Sequence, residues 1–133
     1  MAGELLYLDS SALVKYVVPE PESRALRDAL RAWPQRVSSV VGEIEVERVA
    51  RRSGAGAIRR ASSVIARIVL VEVDEEVRRR ASRVGPQALR TLDAIHLATA
   101  LSLGPDLGAI CVYDARLAEA AATQGVDVIA PGP

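Results

Sequence analysis

The sequence predicts an α/β protein, a three-layer α/β/α sandwich around a central parallel sheet. Short apolar runs typical of buried strands alternate along the chain with segments of helical pattern. Strands that alternate with helices pair in parallel, because each crossover helix returns the chain to the end of the sheet where the previous strand began. The chain has 133 residues, half of them apolar, which suits one compact domain. We therefore expect a single domain over residues 1–133.

The predicted strands are short, and the one at 68–73 is rich in β-branched residues. In chain order, they cover residues 5–8, 36–38, 68–73, 109–113 and 126–129. The predicted helices cover residues 10–18, 21–33, 40–52, 57–67, 75–84, 92–103 and 116–124. Ser39, Asp74 and Thr91 can cap the helices that follow them. Proline or a glycine–proline pair ends several helices, at positions 19, 34, 85–86 and 104–105.

Composition limits the classes of function that the chain can serve. Its one cysteine, Cys111, cannot form an intramolecular disulfide and lies in an apolar run, so we expect it to be buried in a protein of the reducing cytoplasm. No apolar run approaches the roughly 20 residues that span a bilayer, and the first residues lack a basic targeting segment. We therefore expect a soluble, cytoplasmic protein with no membrane partner.

Positive charge is carried almost entirely by arginine, although the formal net charge is zero. Of the 17 basic residues 16 are arginine, and eleven of these fall between Arg48 and Arg90. Guanidinium forks match phosphate geometry, but an arginine-rich helix face is also typical of a solvated surface. Aromatic residues are too few for an extended base-stacking platform. We expect any bound nucleic acid to be held mainly through its phosphates.

Three aspartates stand where α/β proteins bind ligands, beyond the carboxyl ends of strands. Asp9 follows the first predicted strand, and Asp114 follows the strand at 109–113. Asp93 lies in the first turn of the helix after Thr91. For any one of them the alternative is a helix-starting role, because carboxylates favour helix N-termini. Three aspartates at corresponding ends of one sheet indicate a shared site.

A fourth acid lies in the predicted helix over residues 40–52, which contains Glu43, Glu45 and Glu47. Two residues along a helix correspond to about 200° of rotation, so Glu45 points away from the other two. The apolar residues of this segment define no clean face. Periodicity therefore leaves all three glutamates open.

A group of carboxylates this size needs a cation. Two ionised carboxylates about 5 Å apart repel by about 3 kcal/mol at an effective dielectric near 20. Oxygen ligands in this number suit Mg²⁺ or Mn²⁺, which can lower the pKa of a bound water and neutralise charge on a phosphate, as phosphodiester hydrolysis requires. The sequence has no His/Cys zinc cluster and no phosphate-binding glycine loop. The single histidine, His96, lies in an apolar helix, where we expect a packed or supporting role rather than that of a general base.

Three stretches of sequence carry recognisable motifs: Leu6-Tyr7-Leu8-Asp9-Ser10-Ser11-Ala12-Leu13, Arg90-Thr91-Leu92-Asp93-Ala94-Ile95-His96-Leu97-Ala98-Thr99-Ala100 and Val112-Tyr113-Asp114-Ala115-Arg116-Leu117. In order and spacing they resemble PIN-domain proteins, especially the VapC-type toxins of prokaryotic toxin–antitoxin pairs. In that family the second acid lies in a stretch that begins with serine or threonine, with an arginine three residues beyond the acid. Laid on residues 38–48, this pattern selects Glu45, because Arg48 then takes the arginine place; Glu43 remains the alternative.

The resemblance implies five parallel strands and an endoribonuclease that uses Mg²⁺ or Mn²⁺. The implied site consists of Asp9, Glu45, Asp93 and Asp114, both as catalytic residues and as metal ligands. RNA is the implied substrate, with a homodimer and a small antitoxin that covers the site. Whether one metal or two is used stays open.

Other functions remain as alternatives to a toxin. A PIN fold can serve as a non-catalytic module that binds RNA or protein, and a housekeeping RNA-processing nuclease would use the same chemistry. A receiver-like domain or an aspartyl-nucleophile phosphatase is disfavoured, because Ser10 and Ser11 stand where such sites carry further acids.

Overall fold

A computed structural model describes residues 3–133 and contains one sheet of five parallel strands. The strands are β1 (Leu5–Leu8), β2 (Gln35–Ser39), β3 (Val69–Val71), β4 (Leu107–Cys111) and β5 (Val128–Ile129). The helices are α1 (Ser10–Val17), α2 (Ser23–Leu30), α3 (Val40–Ser53), α4 (Ala55–Ile65), α5 (Glu75–Ala81), α6 (Thr91–Ser102) and α7 (Ala115–Thr123), and a 3₁₀ turn covers Gly104–Asp106. The predicted fold class, including the five parallel strands, is confirmed.

β1 lies in the middle of the sheet, whose strand order is β3-β2-β1-β4-β5. The chain builds one side from β1 to β3 and then crosses to β4 and β5 on the other side. The strand order therefore reverses between β1 and β4, and α/β proteins bind ligands in the crevice at such a point. Leu8 pairs with Cys111 at the carboxyl end of this crevice, and the Asp9 amide donates to the Cys111 carbonyl oxygen at 3.2 Å. Asp9 is thus held beside the segment that follows β4.

Helices cover both faces of the sheet, because alternate side chains of a strand point to opposite faces. Leu6 and Leu8 of β1 belong to one buried cluster, together with Leu13 of α1 and Val46 of α3. Tyr7 belongs to a second cluster, which contains buried residues of α6 and α7. Two apolar cores on opposite faces of one sheet produce the three predicted layers.

Several element boundaries differ from the prediction by one to three residues, and two of these differences bear on Asp114 and Asp93. β4 ends at Cys111 rather than Tyr113, because β1 already ends opposite it at Leu8, so Asp114 lies three residues beyond the strand. Thr91 is the first residue of α6 and not its cap. Arg90 takes the cap position with an extended backbone, and its side chain makes no capping hydrogen bond.

Three other sequence signals near this end of the sheet are confirmed. Ser39 caps α3 by accepting from the Val41 amide, and Asp74 caps α5 by accepting from the Val77 amide. Cys111 is a free, buried thiol at the end of β4. Among the helices of residues 3–133, none is long and apolar enough to cross a membrane.

Candidate active site

The four acids named from the sequence line one pocket of about 570 Å³ at the carboxyl ends of β1 and β4. Asp9 and Asp114 are the cap residues of α1 and α7, Asp93 lies in the first turn of α6, and Glu45 projects from α3. Lys15 and Arg90 also line this pocket. The structure therefore brings together all four predicted side chains.

Of the three glutamates on α3, Glu45 is the one that lines this pocket. Glu47 lines a different cavity, between α3 and α4. The half-turn between neighbouring alternate residues separates them, as the helical geometry predicts. The geometry favours the position that the family pattern selected over its alternative, Glu43.

Asp9 is the most buried carboxylate of the pocket, with 2% of its surface exposed. Its Oδ1 accepts from the Ser11 hydroxyl at 2.6 Å and from the Ala12 amide at 3.0 Å. Burial raises the pKa of the Asp9 carboxyl from its ordinary 3.8 to about 6, although both hydrogen bonds oppose that shift. Ser11 in turn accepts from the Tyr113 amide at 2.9 Å, which links the segments that follow β1 and β4.

Glu45 is held by the single histidine of the chain. His96 Nε2 lies 2.8 Å from Glu45 Oε1, and its Nδ1 lies 2.7 Å from the Tyr7 hydroxyl. His96 and Tyr7 are fully buried, whereas 28% of the Glu45 side chain is exposed. The expected packed or supporting role of His96 agrees with this position.

Asp93 and Asp114 share one arginine. Arg90 Nε donates to Asp93 Oδ2 at 3.3 Å, and Arg90 Nη2 donates to Asp114 Oδ2 at 3.2 Å. The Asp114 Oδ1 accepts from the amides of Arg116 and Leu117, so one oxygen caps α7 while the other faces Arg90. The expected capping role of Asp114 is confirmed, and its second oxygen leaves the carboxylate facing the pocket as well.

Lys15 of α1 lies at the rim of the pocket. Its Nζ lies 3.1 Å from Glu22 and 3.5 Å from Glu20, and 5.0 Å from the centre of the Tyr113 ring. The hydrogen bond from Lys15 lowers the pKa of Glu22. The chain's single lysine is thus paired with two carboxylates and an aromatic face at the rim of the pocket.

Known proteins share both the sequence and the fold that position these acids. The family model of the PIN domain matches residues 6–123. The chain belongs to the PIN-domain family. Ribonuclease VapC46 of Mycobacterium tuberculosis is 50% identical over 126 residues, which cover 95% of this chain and 97% of that protein. Ribonuclease VapC35 of the same species is 41% identical over 132 residues, covering 96% and 98%.

A solved structure gives the same fold independently of close sequence similarity. The chain superposes on a toxin–antitoxin complex from Klebsiella pneumoniae with a TM-score of 0.75 at 22% identity, covering 95% of this chain and 97% of that one. The expected membership among VapC-type PIN-domain proteins is confirmed by these comparisons.

The PIN-domain pocket has the ligand chemistry of a hard divalent cation, since its donors are carboxylate oxygens. Within residues 3–133, however, no three His, Cys, Asp or Glu side chains are arranged so that they could hold a metal ion as they stand. Each carboxylate is engaged by the protein: Asp9 by Ser11, Glu45 by His96, and both Asp93 and Asp114 by Arg90. The donors fit Mg²⁺ or Mn²⁺, provided that Asp93 and Asp114 exchange Arg90 for the ion.

Apart from His96, the residues that hold these acids were not predicted from the sequence. Tyr7, Ser11 and Arg90 all stand inside the quoted motifs, where only the aspartates and His96 were assigned a role. Ser11 and Arg90 each contact an acid two or three residues away. The contacts of Tyr7 with His96 and of Arg90 with Asp114 span 89 and 24 residues, so no local pattern reveals them. A signal was present in the motifs themselves, which contain these polar residues beside each acid.

Proposed function

We propose that this PIN-domain protein is a divalent-metal-dependent endoribonuclease and the toxin of a toxin–antitoxin pair. The observation that carries the proposal is the convergence of Asp9, Glu45, Asp93 and Asp114 on one pocket, at the point where the strand order reverses. The names of the two ribonuclease relatives support RNA hydrolysis. The fold neighbour in a toxin–antitoxin complex supports a protein partner.

In the proposed reaction the four carboxylates would hold Mg²⁺ or Mn²⁺. Such an ion neutralises charge on a phosphate and lowers the pKa of a water. The chain itself orients the carboxylates. Ser11 and the Ala12 amide donate to Asp9, and His96 contacts Glu45. Arg90, once exchanged from its two carboxylates, becomes available to pair with an RNA phosphate, which its fork geometry matches.

The RNA path proposed here follows α3 away from the pocket. Glu45, Arg48 and Arg52 line one groove on this helix. Both arginines are exposed, and contacts to phosphates hold RNA without reading its bases. Recognition then rests on RNA shape, and affinity falls steeply with salt concentration.

The proposed partner is a small antitoxin that inserts a basic side chain into the pocket. Arg90 already bridges Asp93 and Asp114 with one guanidinium, so an arginine from a partner suits the same carboxylates. The homodimer implied by the resemblance stays a prediction, which analytical ultracentrifugation tests. So does the cytoplasmic location, which cell fractionation tests.

The decisive experiment compares the wild type with Asp93→Asn in cells and in solution. Expression of the wild type should arrest growth, and co-expression of a small neighbouring-gene product should restore it, while Asp93→Asn at equal protein level should be harmless. Purified wild type should cleave RNA with Mn²⁺, lose activity in EDTA and regain it on Mn²⁺ addition. Equal cleavage by Asp93→Asn would exclude the carboxylate site. Metal-dependent cleavage without growth arrest would favour a housekeeping RNA-processing nuclease.

A further inference from the structure

His96 lies directly behind the pocket and has no exposed surface of its own. One ring nitrogen lies 2.7 Å from the Tyr7 hydroxyl and the other lies 2.8 Å from Glu45 Oε1. The three residues belong to β1, α6 and α3. These contacts therefore tie the central strand of the sheet to the two helices that carry Asp93 and Glu45.

Elementary hydrogen-bond chemistry fixes the direction of both contacts. An ionised carboxylate only accepts, so His96 Nε2 must carry the proton that it donates to Glu45. In a neutral imidazole the other nitrogen is then an acceptor, so the Tyr7 hydroxyl donates to Nδ1. Burial raises the pKa of the Tyr7 hydroxyl above its usual range, which keeps this donor protonated. The proton donors thus run in one direction, from Tyr7 through His96 to Glu45.

The surrounding packing keeps the imidazole in place. A Cβ added at Gly42 would lie 3.3 Å from His96 Cε1, 3.1 Å from Leu13 and only 2.6 Å from the Ser38 hydroxyl. α3 therefore approaches the ring closely because residue 42 has no side chain. On the other side, the Tyr7 and His96 rings meet edge to face, with centroids 5.9 Å apart and planes at 70°.

We propose that Tyr7 and His96 are positioning residues that hold the Glu45 carboxylate in the orientation that binds metal. The proposal rests on the metal-dependent function proposed above. Because Oε1 accepts from His96, Oε2 is the oxygen directed to a ligand in the pocket. A glutamate on a helix surface otherwise loses side-chain rotamer freedom when it binds a metal. The hydrogen-bond relay from Tyr7 through His96 to Glu45 removes that freedom before the metal binds. The loss of a hydrogen-bond partner behind a metal ligand typically costs about 10–100-fold in metal affinity.

The first test needs no metal and reads the hydrogen-bond direction itself. His96 is the only histidine, so ¹⁵N NMR of histidine-labelled protein reports this ring without ambiguity. At pH 7.5 the spectrum should show Nε2 protonated and Nδ1 unprotonated. A proton on Nδ1, in the other tautomer or in an imidazolium, would overturn the proposed relay.

The second test is a double-mutant cycle on Mn²⁺ affinity, measured by titration calorimetry. Tyr7→Phe should weaken Mn²⁺ binding by about 10-fold when Glu45 is present and by less than about twofold in the Glu45→Gln background. An equal loss in both backgrounds would mean that Tyr7 serves only the fold, and no loss with Glu45 present would also overturn the proposal. Tyr16→Phe removes a hydroxyl that accepts from Arg36 outside the pocket, and it should leave affinity unchanged.

His96 substitutions sharpen the same measurement. The His96→Gln side chain retains an N–H donor at the position nearest Nε2, so it should keep most of the Mn²⁺ affinity that His96→Leu loses. Melting temperatures of all variants separate unfolding from a local effect. If the wild type itself binds no Mn²⁺, the proposed metal-dependent function fails; the NMR result then decides separately whether the relay holds Glu45.

Discussion

The inner and outer halves of the pocket hold their carboxylates in different ways. In the inner half, Asp9 and Glu45 accept from buried or partly buried groups of the protein, Ser11 and His96. In the outer half, Asp93 and Asp114 share Arg90, whose side chain is 65% exposed. Exposed ion pairs contribute only about 0–1 kcal/mol, whereas buried hydrogen bonds are costly to leave unmade. The inner half is therefore fixed by the fold, and the outer half is free to exchange its cation.

The largest expected effect concerns which glutamate serves the inner half. Glu45→Gln should lower the rate of Mn²⁺-dependent RNA cleavage by at least about 100-fold, because it removes a proposed ligand rather than a ligand's partner. The matched control is Glu43→Gln, half a helical turn away, which should retain most activity. A dead Glu43→Gln variant beside an active Glu45→Gln would place the site two residues earlier.

In the inner half, the ionised carboxylate of buried Asp9 should lower the free energy of unfolding, an effect that we do not expect from the outer half. Because the pKa of Asp9 is raised from 3.8 to about 6, its contribution to stability is full below pH 3.8 and is lost as the pH rises through 6. A shift of this size corresponds to about 3 kcal/mol. Asn preserves the capping oxygen without the charge. Urea unfolding in EDTA should therefore show Asp9→Asn more stable than wild type by about 2–3 kcal/mol at pH 7.5 and nearly equal at pH 4.

Asp74→Asn provides the matched control for that stability measurement. Asp74 also caps a helix through its carboxylate, but it is exposed, so its substitution should change stability little at either pH. If Asp9→Asn is less stable than wild type at pH 7.5, the buried Asp9 carboxylate does not destabilise the fold as its raised pKa predicts.

The smallest expected effect lies in the outer half. Arg90→Gln should strengthen Mn²⁺ binding by about fivefold, which is the value of one exposed ion-pair interaction of about 1 kcal/mol. Arg116→Gln removes the same charge nearby, from a residue that contacts Asp114 through its backbone amide, and should change affinity less. Equal gains in both variants would assign the effect to general electrostatics, and no gain for Arg90→Gln would show that this arginine does not compete with the ion.

The sequence predicted some residues in each half of the pocket but not all of the residues that hold them. The alternation of strands and helices predicted the three layers. The positions of Asp9, Asp93 and Asp114 at corresponding ends of the sheet predicted that they share one site. Glu45 needed the family pattern, since helical periodicity left three glutamates open. The partners Tyr7 and Arg90 depend on which strands lie side by side, and that long-range pairing is absent from any local pattern.

The wrong predictions of where β4 and α6 begin or end also arise from long-range contacts. β4 begins and ends two residues earlier than its apolar run predicts, because pairing with β1 sets its length rather than its own side chains. Thr91 is a suitable cap by residue type, yet Arg90 takes that position, where its side chain reaches both Asp93 and Asp114. Tertiary contacts thus overrode local preference at two points close to the pocket.

The most direct test of the metal site is a crystal structure of the wild type soaked in Mn²⁺, with diffraction data collected at the manganese edge. The account predicts an anomalous peak in contact with carboxylate oxygens of Asp9, Glu45, Asp93 and Asp114, with Glu45 Oε1 still on His96 and Arg90 turned away from both aspartates. Arg90 retained between Asp93 and Asp114 at saturating Mn²⁺, with no anomalous peak in the pocket, would contradict it.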